Sequence, residues 1–144
     1  MQTTFDLTAA ATGSRDLVVT NPDGTISTLS QGFTVATAGA PDIWLDLLGL
    51  PGLRESQPQF YYLVYGNRGN IDSPTLRLWI SFDSFLSWNP IPNQNPASQG
   101  HLNGRTYLAF DVSPTAGSNG LIPIALTAPN SHQTFLIQAW EEGR

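Results

Sequence analysis

The sequence of 144 residues predicts an all-β protein, either a sandwich or a barrel, on three observations. Several short segments alternate apolar and polar residues with a period of two, which is typical of half-buried strands. Turn-forming residues separate these segments at intervals of roughly 8–15 positions. The 13 glycines and 11 prolines leave few windows in which a helix could form, and 82–88 predicts one helical turn at most.

The N-terminal part predicts two strands joined by a turn. The apolar run at 17–20 leads into Asn-Pro-Asp-Gly at 21–24, whose residues favour a tight turn. Residues 32–35 predict the second strand. Small residues at 38–41 predict a linker, so we expect a partial domain at 1–37 and the main domain at 42–144.

An internal similarity relates the two parts of the chain. Residues 5–8 resemble 110–113, and the Gly-Ser pair at 13–14 resembles the one at 117–118. Both segments would then be the last three strands of a sandwich, unless the similarity is due to chance. A truncated first domain would leave strand edges open, which predicts self-association.

Four segments of the main domain predict strands with one apolar side. That side carries Leu76, Leu78, Ile80 and Phe82, then Leu108, Phe110 and Val112, then Ile122, Ile124 and Leu126, and finally Phe135, Ile137 and Ala139. Pro123 interrupts the third segment and predicts an edge or a bulge there, because proline lacks the N–H that a ladder needs. Residues 60–65 are apolar on both sides, and we expect 61, 63 and 65 to face inward.

The segment at 83–104 is too rich in proline for regular structure and predicts a long loop. Its apolar residues are expected to fold back as a plug over the end of the sandwich, with an exposed contact tip as the alternative. These residues are Phe85, Leu86, Trp88 and Ile91.

Residues 13–35 resemble the end of an IPT/TIG immunoglobulin-like domain. The matching residues are Leu-Val-Val-Thr-Asn-Pro-Asp-Gly at 17–24 and Gly-Phe-Thr-Val at 32–35. Residues 41–82 resemble the CARDB family, a cell-adhesion-related domain of bacteria, and the related APHP type. That match rests on Pro-Asp and an apolar strand at 41–45, on the apolar strand leading into Asn-Arg-Gly-Asn at 67–70, and on the strand at 76–80. Both resemblances imply seven-stranded immunoglobulin-like sandwiches in large exported bacterial proteins, with no catalytic residues.

The composition excludes several classes of chemistry. The chain has no cysteine, and its six basic residues are all arginine, which excludes disulfides, thiolate sites and lysine Schiff bases. The formal charge of −5 makes nucleic acid a poor partner, and no apolar stretch is long enough for a membrane span.

Catalytic and metal-binding residues are sparse, and we expect no enzyme, no metal site and no cofactor. His101 and His132 lie in polar turns without a nucleophile motif, and the few glutamates include two beside the C-terminus. No D-x-D-x-D loop is present for calcium. The sequence at 67–70 predicts a turn, with positive φ angles and side-chain bonds to the backbone, rather than a site.

Exposed aromatic residues are the candidate ligand-binding residues. Phe60, Tyr62 and Trp79 would form one outward stripe if their strands are neighbours, and Arg77 could stack on it. Residues 1–37 could cover this stripe, a loop or a second copy could cover it, or it could be open to a sugar or a protein. Trp88 is the other candidate.

The sequence therefore predicts a non-catalytic, structural or adhesion-related module of a large bacterial surface or secreted protein. Its partners would be the neighbouring domains of that protein, and an extracellular location agrees with the absence of cysteine. The alternative is a carbohydrate- or protein-binding module that uses Phe60, Tyr62, Arg77, Trp79 and Trp88.

Overall fold

The computed structural model describes residues 4–37, 39–129 and 134–143 and confirms the all-β prediction. These residues form ten strands in three antiparallel sheets and no helix, so no segment of them is a helix able to span a membrane. The chain divides into two units, residues 1–38 and 39–144.

The first unit is built on a two-stranded hairpin. β1 (Gly13–Thr20) pairs with β2 (Ile26–Val35), and the turn between them closes through hydrogen bonds from Asn21 N–H to Thr25 O at 2.9 Å and from Gly24 N–H to Asn21 O at 2.9 Å. The predicted strands and turn are therefore present. Most of the hairpin's side chains are exposed, among them the apolar residues Val18, Ile26 and Leu29.

The described residues of the second unit form eight strands, one more than the seven that the family resemblance implies. The strands are β3 (Ile43–Leu48), β4 (Gln59–Asn67), β5 (Leu76–Asp83), β6 (Ser87–Asn89), β7 (Ser98–Leu102), β8 (Arg105–Val112), β9 (Asn119–Thr127) and β10 (Ile137–Glu141). Sheet I has the order β10-β5-β8-β7, and sheet II has the order β3-β4-β9-β6. Consecutive strands mostly lie in different sheets, so the chain crosses repeatedly from one layer to the other.

The core lies between sheets I and II and confirms the predicted alternation. It contains Leu78, Ile80 and Phe82 of β5 and Leu108 and Phe110 of β8 from sheet I, and Tyr61 and Leu63 of β4 and Ile122, Ile124 and Leu126 of β9 from sheet II. Val112, Phe135, Ile137 and Ala139 pack against this cluster, while Leu76 lies partly exposed where β5 begins. Burial of these side chains is the main favourable term in the folding of this unit.

Pro123 lies where β9 has a partner on one side only. β9 pairs with β4 along its length, but β6 covers only the stretch from Ala125 to Thr127. The predicted edge character is confirmed, because a missing N–H is tolerated where no second strand requires it.

Two predictions about secondary structure and topology are wrong. Residues 83–104 are not one irregular loop, because β6 and β7 form within them. β6 makes its backbone hydrogen bonds to the longer strand β9, and β7 makes them to the longer strand β8. The internal similarity does not reflect a common topology, because β1 and β2 pair as a hairpin whereas β9 and β10 belong to different sheets. The predicted plug is present in part: Leu86 is buried in the core, and Phe85 and Trp88 pack against it.

Candidate functional site

The outer face of sheet I carries an aromatic cluster between two rows of charged residues. Directly paired residues project from the same face, so the register assigns each row. Arg77 pairs with Asp111 in the first row, Trp79 with Trp140 in the second, and Ser81 with Tyr107 in the third. A fourth row contains Asp83 and Arg105. The same alternation that points Leu78 and Ile80 into the core thus points this side of β5 outward.

The aromatic cluster consists of Trp79, Trp140 and Tyr107. The two indoles are nearly parallel, with ring centroids 6.3 Å apart, and Tyr107 meets Trp140 edge-on at 6.2 Å. The indole N–H of Trp79 donates to Oε2 of Glu142 at 3.0 Å, which fixes the ring's orientation. Because each ring is held by a neighbour, the cluster is organised before any ligand arrives.

An open groove of about 340 Å³ runs beside these rings, between them and the edge strand β7. Gly100 lies in the groove wall directly opposite Tyr107, and a Cβ atom added there would meet nothing within 4 Å. The groove is mainly apolar because its rings replace the polar side chains usual on an outer strand face.

A polar pocket of about 360 Å³ adjoins the cluster on its other side. Arg77 donates to both carboxylate oxygens of Asp111, at 2.8 and 3.0 Å, and its Nε lies 3.9 Å from Oε2 of Glu142. The hydrogen bonds from Arg77 hold the pKa of Asp111 below its usual range, and the same bonds raise the pKa of Arg77. Arg77 and Asp111 are therefore both ionised at neutral pH.

The fourth row also has its charges paired. Arg105 donates to Asp83 Oδ1 at 3.0 Å and to the buried hydroxyl of Ser81 at 2.8 Å. The other oxygen of Asp83 accepts from Leu136 N–H at 2.8 Å. Each arginine on this face therefore has a carboxylate partner beside it.

The outer face of sheet II is different, because several exposed apolar side chains cluster on it. Leu48 and Tyr62 are paired across β3 and β4, and Pro123 lies opposite Tyr62 on β9. The exposed fraction is 51% for Leu48, 50% for Phe60, 38% for Tyr62 and 55% for Leu121. The rings of Phe60 and Tyr62 lie 6.3 Å apart. We call these four residues the apolar patch.

The structure corrects the predicted aromatic stripe. Phe60 and Tyr62 lie on β4 in sheet II, whereas Trp79 lies on β5 in sheet I, so they face opposite sides of the sandwich. Their strands are consecutive in sequence but not neighbours in space. Arg77 binds Asp111 instead of stacking on a ring, and Trp88 packs against the core from β6.

Trp140 and Tyr107 are the residues of this face that sequence reasoning missed. Side chains alternate along a strand, so Tyr107 and Trp140 were already expected to point away from the core. Their neighbours in sequence, Leu108 and Ala139, point toward it. What the sequence lacked was the strand order, which brings β8 and β10 to either side of β5.

The sequence at 67–70 forms a structural turn, as predicted. The predicted positive φ angles are wrong, because none of these four residues has one. Asn67 is only 1% exposed. Its Oδ1 accepts hydrogen bonds from Asp42 N–H at 3.0 Å and from Gly69 N–H at 2.9 Å. Its Nδ2 donates to Ile71 O at 2.6 Å. Gly69 is required by a close approach, because an added Cβ would lie 2.3 Å from Ala40 O. Arg68 stacks over Trp44 at 5.3 Å.

Three aspartates of the main domain are engaged in structural contacts. Asp72 accepts from Ala116 N–H at 2.8 Å, and Asp83 and Asp111 bind arginines. His101 Nδ1 lies 3.0 Å from the Thr106 hydroxyl, and His132 is outside the described residues. Among residues 4–37, 39–129 and 134–143, no three histidine, aspartate or glutamate residues form a group able to hold a metal ion.

Comparison with known proteins does not assign this chain to a family. No family model matches the sequence, and no curated protein matches it either.

Proposed function

We propose that this chain is a non-catalytic structural module of the adhesion-related type, within a large bacterial surface or secreted protein. The proposal depends on one observation, the apolar patch on the outer face of sheet II. Each of its four residues has more than a third of its surface exposed to solvent. A contiguous exposed apolar surface of this kind is typical of protein–protein contact.

A neighbouring domain of the parent protein is the partner that fits this patch best. Burying a large apolar side chain contributes about 1.5–3 kcal/mol, so covering four of them gives a substantial gain. Asp46 lies in the same row as Leu121, on the other side of Val64, so one acidic residue borders the patch. A partner with an apolar surface of its own therefore matches the patch, whereas a highly charged partner does not.

The sequence supports the proposed parent protein, and the contacts of the aspartates support the proposed role. The resemblance of residues 41–82 to the CARDB family favours an exported bacterial protein, and the absence of cysteine is compatible with it. The pairing of Asp72, Asp83 and Asp111 with backbone or arginine groups supports a non-catalytic role.

Analytical ultracentrifugation of the full chain tests the role of the patch, because a second copy can substitute for the neighbouring domain. We expect the average mass to rise between about 10 μM and about 1 mM, a range typical of weak association. The double variant Phe60→Ser/Tyr62→Ser should weaken this association about tenfold, since it removes two apolar contacts.

Leu136→Ser is the matched control. Leu136 is as exposed as Phe60, at 50%, but it directly precedes β10 of sheet I and is therefore far from the apolar patch in the sheet order. It should leave the association unchanged. A wild-type chain that stays monomeric at 1 mM, or a double variant that associates like the wild type, would contradict the proposed docking role.

A further inference from the structure

The outer face of sheet I has features that a protein-docking surface does not need. Its aromatic groove lies next to a polar pocket, and Glu142 joins the two by accepting from the indole N–H of Trp79 at 3.0 Å. Apolar and hydrogen-bonding surfaces therefore alternate over the distance of one or two side chains. The apolar patch on sheet II shows no such alternation.

This alternation matches the chemistry of a sugar ring. A pyranose presents C–H groups on its faces and hydroxyl groups around its edge, so it needs an apolar plane with hydrogen-bonding groups beside it. Small-molecule sites in proteins combine aromatic walls with a few polar groups in the same way. The groove of about 340 Å³ is large enough for one or two such rings.

The charges of this face favour a neutral ligand. Arg77 is paired with Asp111 and lies near Glu142, and Arg105 is paired with Asp83, so the face carries a small excess of negative charge. An anionic polymer would be repelled by that excess. Paired carboxylates and guanidinium groups still offer hydrogen-bonding atoms to hydroxyl groups.

We propose that the outer face of sheet I binds a neutral oligosaccharide. One sugar ring stacks on the indoles of Trp79 and Trp140 in the groove beside Tyr107. The hydroxyl groups of the next ring hydrogen-bond to Asp111 and Glu142 in the polar pocket. This inference is independent of the apolar patch, since the two lie on different sheets.

The test is calorimetric titration of the full chain with neutral hexasaccharides. The probes are β-1,4-linked glucose, xylose, mannose and N-acetylglucosamine, β-1,3-linked glucose and α-1,4-linked glucose, each supplied up to 1 mM. Hexagalacturonate serves as the anionic probe and a proline-rich peptide as the protein-like probe. We expect at least one neutral hexasaccharide to bind and hexagalacturonate not to bind.

Two variants locate the binding. Trp140→Ala should weaken binding about tenfold or more, because it removes a stacked ring. Gly100→Leu should do the same by filling the groove, and it is expected to fold because its Cβ meets nothing within 4 Å. The controls are Phe60→Ala, on the other sheet, and Gly52→Leu, which also has open space around it. Both should bind like the wild type.

Three results would overturn the proposal. One is the absence of binding by all six neutral hexasaccharides. Another is sugar binding that survives in both Trp140→Ala and Gly100→Leu, which would place the site elsewhere. The last is binding of the proline-rich peptide alone, which would make this face a peptide site.

Discussion

At the scale of single residues, Asn67 shows how one buried polar side chain organises the backbone around it. It lies at the end of β4 and is almost fully buried, yet its amide bonds to backbone groups of four other residues, Asp42, Gly69, Ile71 and Pro114. Buried polar groups are costly unless they are hydrogen-bonded, so this amide holds the beginning of β3 against the end of β4. The Asn-Arg-Gly-Asn sequence is explained by this role without any ligand.

Replacing Asn67 tests this interpretation. Asn67→Ala should lower the free energy of unfolding by about 2–4 kcal/mol, because it leaves buried N–H and C=O groups without partners. Denaturant titration followed by tryptophan fluorescence measures the change. Asn89→Ala is the control, since Asn89 is an exposed asparagine of β6 and should change stability by less than about 0.5 kcal/mol. Equal effects of the two variants would show that the amide of Asn67 has no special role.

Residue-scale patterns are also where the sequence was most informative. Alternation divided the side chains of β4 into two sets that are both apolar, so it did not by itself tell which set faces the core. The expectation that 61 and 63 face inward is confirmed, since Tyr61 and Leu63 are buried, while Phe60 and Tyr62 face outward. Alternation does not identify the neighbouring strand. For this reason the outward direction of Trp79 was predictable, whereas its contacts with Trp140 and Glu142 were not.

At the scale of elements, the stretch between β5 and β8 shows how tertiary contacts override local signals. Its prolines and asparagines predict irregular structure, but the flanking strands β8 and β9 supply partners for short strands. β6 and β7 have only three and five residues, so neither would be stable alone. The buried Leu86 fixes this segment to the core.

Leu86→Ala measures how strongly this segment is fixed. Leu86 is 3% exposed, and truncating such a leucine costs about 2–5 kcal/mol because a cavity remains. The comparison is Leu102→Ala, whose leucine is 62% exposed on β7 and should have little effect. Thermal unfolding of both variants provides the readout. If Leu86→Ala were as stable as Leu102→Ala, the segment would not be part of the core.

The hairpin of β1 and β2 leaves several of its apolar side chains exposed. A two-stranded hairpin is at best marginally stable in water. Val18, Ile26 and Leu29 are exposed on it by more than half, so its own fold buries few of its apolar side chains. Its turn, by contrast, is well specified by Asn21 and Gly24, which is why the sequence predicted it correctly.

At the scale of the whole molecule, the sandwich of the second unit presents two chemically different outer faces. Sheet I presents rings between paired charges, and sheet II presents the apolar patch. The sequence predicted the sandwich and most of its core, but it merged the two faces into one stripe. The cause is topology: β4 and β5 are consecutive, and the chain crosses between sheets from one to the other.

A concentration series of ¹H–¹⁵N spectra of the full chain tests directly whether the apolar patch is the surface for protein partners. We expect concentration-dependent shifts and broadening to concentrate in β3, β4 and β9, around Leu48, Tyr62 and Leu121. The indole N–H signals of Trp79 and Trp140 should stay in place. Changes confined to β1 and β2, or to the edge strand β7, would instead show association through strand edges and contradict the claim.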